Sequence, residues 1–217
     1  MKKIFMCLVA FATISAFAAG EFKLNSNTTD KAVIKSYQDA IAAGTVPAAQ
    51  VGHVTRMIPV LLALADVDGN ISYAELKEKI YTALDTVPNL KEKKINVVGS
   101  VLGNIKRFQT PALHQAYVND LMTKKEPSKW AVKYSLRFKN LTAAQYIWLF
   151  ETGMVESSKP AIALDILTRF EKNTTKLPSN VVLNSCKKVK RAIYSRISDE
   201  AWKPVLVKLE LMIQSLQ

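Results

Sequence analysis

The apolar positions of this chain recur at spacings of three and four, and polar punctuation cuts that pattern into short blocks. Thr29 and Asp30 precede a block that runs to about Ala43, where Gly44 closes it. Pro47 suits the first turn of the next block, which Val51, Val54, Ile58, Leu61 and Leu62 carry to about Ala65. Pro59 lies inside that run and predicts either a kink or two shorter pieces. Ser72 followed by Glu75 is a capping box that opens a helix to about Leu84. Beyond a break at Pro88 and Asn89, helical segments run from Leu90 to about Phe108, from Thr110-Pro111 through Leu121, and from Pro127 through Tyr134. A second capping box, Thr142 with Gln145, leads into YIWLFETG, with Gly153 as the expected stop. Pro160 and Pro178 head two further stripes. Ser198, Asp199 and Glu200 cap the last helix, whose stripe is Trp202, Leu206, Leu209 and Ile213.

This punctuation predicts an all-α fold: one domain of about nine or ten short helices over residues 29–217, with short loops that make neighbours mostly antiparallel. No stretch alternates like a strand between hairpin turns.

The first residues change the picture of where the chain works. Lys2 and Lys3 precede an apolar run from Ile4 to Phe17 that is short for a membrane anchor, and Ala16-Phe17-Ala18 fits signal peptidase. Residues 1–18 are therefore expected to be a signal peptide cleaved after Ala18, with residues 19–28 a flexible lead-in. The exported chain would be periplasmic or secreted, and the brevity of the signal favours a bacterial periplasm. No later segment is apolar for long enough to cross a bilayer.

Of the 217 residues, 30 are Lys or Arg and 18 are Asp or Glu, a formal net charge of +12. Loss of Lys2 and Lys3 leaves +10 on the exported chain. Once Cys7 is removed, Cys186 is the single cysteine, so an internal disulfide and a cysteine-based zinc site are both excluded. Cys186 falls on an apolar helix face and is expected to be a buried small hydrophobe.

One segment carries a chemical pattern. In LADVDGNISYAEL, Asp66, Asp68, Asn70, Ser72 and Glu75 alternate oxygen-bearing groups around Gly69 and Ile71. The segment resembles the calcium loop of the EF-hand family over residues 64–75, within a helix-loop-helix at about 48–84. With Ile71 as the central apolar residue, the resemblance places Asp66, Asp68, Asn70, Ser72 and Glu75 at ligand positions, Glu75 closing the shell. It implies one weak or structural calcium site. Leu64, at the first position, has no oxygen to offer, and no second loop of this kind is present. Three readings stay open: weak calcium binding, a calcium-free hinge, or a turn followed by a cap.

Other constellations are sparse. His53 and His114 stand apart without metal-ligand spacing, and no nucleophile elbow, phosphate loop or dinucleotide motif occurs. Glu151 in WLFETG resembles the general-acid glutamate of the lysozyme-like glycan hydrolases, which gives an alternative reading as a cell-wall hydrolase. The basic residues cluster, most densely at Lys187, Lys188, Lys190 and Arg191, as an ordinary solvated face or a polyanion-binding one. For an exported chain, an acidic protein or an anionic cell-envelope polymer is a better partner than nucleic acid. The reading as a whole is an exported helical binding protein rather than an enzyme.

Overall fold

Side chains of Asp30, Ser72, Ser128 and Thr142 cap four of the α-helix starts, and proline stands at or next to the start of five others. A computed structural model describes Asn25 and residues 28–87, 94–196 and 198–217. The expected signal peptide, most of the lead-in and the break at Pro88 and Asn89 lie outside the described residues. Among those described, ten α-helices and four short 3-10 turns form the fold, with no strand. The all-helical architecture read from the sequence is the observed one.

The contacts divide the chain into two compact units, one ending at Thr110 and the other beginning at Pro111. The first holds α1 (Lys31–Ala42), α2 (Ala48–Leu64), α3 (Tyr73–Asp85) and α4 (Lys94–Asn104), with a 3-10 turn at Lys106–Phe108. Asp30 caps α1 by accepting the Ala32 N–H at 2.8 Å. Gly44, at φ 67°, ends it: the Gly44 N–H reaches the Ile41 carbonyl and the Thr45 N–H the Ala40 carbonyl, the paired bonds of a Schellman stop. Helix α2 is a single element with Pro59 inside it. It packs against α1 and α3, and α3 against α4. Ile34, Val54, Leu61, Leu64, Leu76, Ile80, Val98, Leu102 and Phe108 are fully buried in this unit. Thr28, at the end of the expected lead-in, is also buried, its hydroxyl donating to the Asn25 carbonyl.

The second unit holds α5 (Pro111–Met122), α6 (Lys129–Ser135), α7 (Ala143–Glu156), α8 (Pro160–Glu171), α9 (Ser179–Ala192) and α10 (Lys203–Ser215). Helix α7 is its centre and packs against α5, α6, α8 and α9, while α10 lies on α8 and α9. The Thr142–Gln145 capping box forms as expected. Gln145 then spends its amide on a neighbouring helix, donating to the Gln115 carbonyl and to Asn119. Phe150 and Phe170 stack face to face at 3.9 Å between α7 and α8.

Gly153 departs from expectation. The helix runs three residues past it to Glu156. A Cβ here would lie 3.1 Å from Ile166 and 3.4 Å from Val132, so this glycine lets α6 and α8 approach α7. The stripe of α10 also differs: Val205, Leu209 and Met212 are its core residues beside Trp202, while Leu206 and Ile213 are half-buried.

Candidate functional site

In the first unit, the segment between α2 and α3 is held by Arg107 from two directions. Its guanidinium donates to the Leu64 carbonyl at the end of α2, where the helix leaves carbonyls without internal partners. Its own carbonyl oxygen lies 2.4 Å from where a Cβ on Gly69 would sit. Glycine is required here by that close approach, because Gly69 does not have positive φ. The sequence separation of 38 residues kept this contact from being legible as a local turn.

The candidate calcium ligands have other partners. Asp66 meets Lys31 of α1 at 2.9 Å. Asp68 accepts the Asn70 N–H at 2.6 Å, an Asx turn within the loop. Glu75 and Ser72 form a reciprocal capping box: the Ser72 N–H donates to the Glu75 carboxylate at 3.1 Å and the Glu75 N–H to the Ser72 hydroxyl at 3.3 Å. The Ser72 hydroxyl also donates to Glu75 at 2.7 Å. That bond first, and the backbone one second, hold the Glu75 carboxyl below its ordinary pKa. Among the described residues no three His, Cys, Asp or Glu side chains are grouped to hold a metal.

Asp66, Asp68, Asn70 and Glu75 nevertheless line one open groove of about 1080 Å³, together with Glu78. Pro59, Ala63, Val67, Ile71 and Ala83 give it apolar walls, and Lys79 is its one lining cation. Ser72 is not in that lining.

Glu151 is half-buried on α7, five residues before the end of that helix. Its carboxylate takes the Lys188 ammonium and, at 3.0 Å, the Ser185 hydroxyl, both from α9. Its side chain is 20 % exposed. It lines neither the acidic groove, nor the small cavity beside Gly153, nor the depression at the end of α9. The feature that suggested a general acid, a glutamate just before a helix stop, disappears with the stop itself.

The basic run on α9 separates into two sets. Lys188 bridges to Glu151 of α7, and Lys190 bridges to Glu210 of α10 at 2.6 Å. Lys187 and Arg191 form no ion pair with another described residue. With Lys190, Tyr194 and Ile213 they line a shallow depression of about 550 Å³. Arg196, in the 3-10 turn Tyr194–Arg196, instead closes a helix end. Its guanidinium donates to the Val155 and Ser157 carbonyls at the end of α7 and lies over the Trp202 ring.

Cys186 is fully buried on the other side of α9, and burial pushes its thiol pKa up to about 11. It is an unreactive core residue, as its place on the apolar stripe implied. His114 is buried too, its ring stacked on Phe138 at 4.1 Å. Sequence reasoning missed Tyr194, which follows the basic run one helical turn on. It also missed Val207 and Leu211, which are exposed on α10.

No protein-family model, curated protein or solved structure matches this chain. None of its described helices is long and apolar enough to cross a membrane.

Proposed function

We propose that this chain is an exported, non-enzymatic binding protein whose second unit engages an anionic cell-envelope partner through the end of α9. The observation that carries this reading is the depression where Lys187 and Arg191 stand beside Tyr194 and Ile213 without a carboxylate partner among the described residues. The charge distribution points the same way. Residues 111–217 hold 17 Lys+Arg against 9 Asp+Glu, whereas residues 19–110 hold 11 against 9. A positive field centred on one unit draws anions toward it and falls with salt.

Neither the calcium site nor the hydrolase adds to this reading. Three carboxylates of the calcium-like segment already serve a lysine, a turn and a cap. Glu151 joins two helices and lines none of the three cavities.

The test is binding of a soluble polyanion, poly-glutamate, by the exported chain at low and physiological salt. The reading expects salt-sensitive binding that weakens at least tenfold in Lys187→Ser/Arg191→Ser and is retained in the first-unit control Lys77→Ser. Equal binding by all three proteins would place recognition elsewhere.

A further inference from the structure

Resting on that reading, we infer that the partner is the surface of an anionic lipid bilayer, on which α9 and α10 lie with their exposed faces down. Two sets of residues, of different chemistry, meet on this side of the second unit. Lys187 lies three and four residues before Lys190 and Arg191, and Tyr194 four and three after them, so the four share one stripe running off the end of α9. Tyr194 is 62 % exposed. Across the depression, the Lys190–Glu210 bridge ties the stripe to α10. Val207, three residues before Glu210 and so next to it on the helix surface, is 55 % exposed, and Leu211, one turn beyond Val207, is 60 % exposed. Val205, Leu209 and Met212 bury the opposite face of α10.

A soluble polyanion would be satisfied by the cations alone and would leave Val207 and Leu211 in water. A bilayer interface accepts both sets at once. Its phosphate headgroups match Lys187 and Arg191, and the boundary with the acyl chains takes the valine, the leucine and the ring of Tyr194, whose hydroxyl stays at headgroup level. The docking is peripheral, since no described helix is long and apolar enough to span. Lys190 contributes less than its neighbours because Glu210 already holds its ammonium.

The test is co-sedimentation of the exported chain with vesicles of neutral phosphatidylcholine and with vesicles containing about 30 % phosphatidylglycerol, at about 0.15 M salt. Poly-glutamate binding is measured in parallel. Binding is expected to the anionic vesicles and not the neutral ones. Lys187→Ser/Arg191→Ser should lower vesicle binding on the order of 30-fold and polyanion binding with it. Val207→Ser/Leu211→Ser should lower vesicle binding about tenfold and leave poly-glutamate binding unchanged. Both pairs are surface positions, and circular dichroism checks that each variant is folded. Poly-glutamate binding without vesicle binding, or vesicle binding indifferent to Val207→Ser/Leu211→Ser, overturns the lipid assignment and leaves the cationic-face reading standing. Binding to neither ligand overturns both.

Discussion

The two units draw on similar residue types and distribute their charges differently. In the first, the acidic residues concentrate around one turn and one helix start, giving a groove with four carboxylates and a single lysine. Three of the carboxylates there are engaged: Asp68 and Glu75 within the loop and the α3 cap, and Asp66 with Lys31 of α1. In the second, four carboxylates bridge helices: Glu151 to Lys188, Asp165 to Lys133, Glu171 to Lys208 and Glu210 to Lys190. The larger supply of cations leaves several without an ion pair among the described residues, Lys187 and Arg191 being the ones that share a depression. The motif with an orderly spacing thus has its carboxylates in contact with protein groups, whereas the plain basic run pairs only Lys188 and Lys190 among the described residues.

The sharpest way to break this comparison is to exchange one glycine from each unit. Gly69→Ala would drive a Cβ into the Arg107 carbonyl, a backbone atom that cannot rotate away. It should cost about 2–3 kcal/mol and lower the melting temperature by about 5–10 °C. Gly153→Ala meets only the ends of the Ile166 and Val132 side chains, which can give by a few tenths of an ångström. There the loss is offset by the better helix propensity of alanine, leaving a net change within about 1 kcal/mol. Thermal unfolding followed by circular dichroism decides between them. A Gly69→Ala protein as stable as wild type would mean that Arg107 does not hold the turn closed.

These glycines also mark how far the sequence could be read. Local signals were legible: the Asp30 cap, the Gly44 stop and both capping boxes are interactions within a few residues, and all of them form. Gly153 was misread as a stop because its reason lies on α6 and α8, not on its own helix. The purpose of Gly69 was likewise hidden, since Arg107 reaches it from the far side of α4. Helix α10 shows a third limit. Its run VLVKLELMI is apolar on almost every side, so periodicity alone could not choose between the Leu206–Ile213 stripe and the observed Val205–Met212 stripe. That ambiguity is also why Val207 and Leu211 were not seen as exposed. Similarly, the division of the basic run into paired and unpaired cations depends on Glu151 and Glu210, which are distant in sequence.

A smaller effect sharpens the reading of the first unit as architecture. Ser72→Ala removes the hydroxyl that accepts the Glu75 N–H and should cost about 1 kcal/mol at neutral pH. The pH dependence has a defined sign. The Glu75 carboxyl is held below its ordinary pKa by the Ser72 hydroxyl and backbone, so the cap's contribution is complete above the unfolded value and is lost as pH falls through the folded one. Ser72→Ala should therefore lose less stability on acidification than wild type, in urea titrations compared at neutral and acidic pH. Calcium added to about 10 mM should shift neither midpoint. A calcium-dependent rise in wild type that is absent in Asp68→Asn would restore the metal reading and break the contrast between the units.

The smallest expected effect tests the second unit at Glu151. Glu151→Gln keeps an oxygen to accept the Ser185 hydroxyl but removes the charge opposite Lys188, whose side chain is 70 % exposed. Solvent around the lysine screens such a pair, so the loss should be below about 1 kcal/mol and should shrink further at high salt. A hydrolase using Glu151 as its acid predicts something else: stability little changed and the clearing of a peptidoglycan suspension abolished. Turbidity measured beside thermal unfolding separates the two. No clearing by wild type, with a small salt-screened loss of stability in the variant, leaves Glu151 as a bridge from α7 to α9. That bridge ties α7 to the helix whose Lys187 and Arg191 form no ion pair with another described residue.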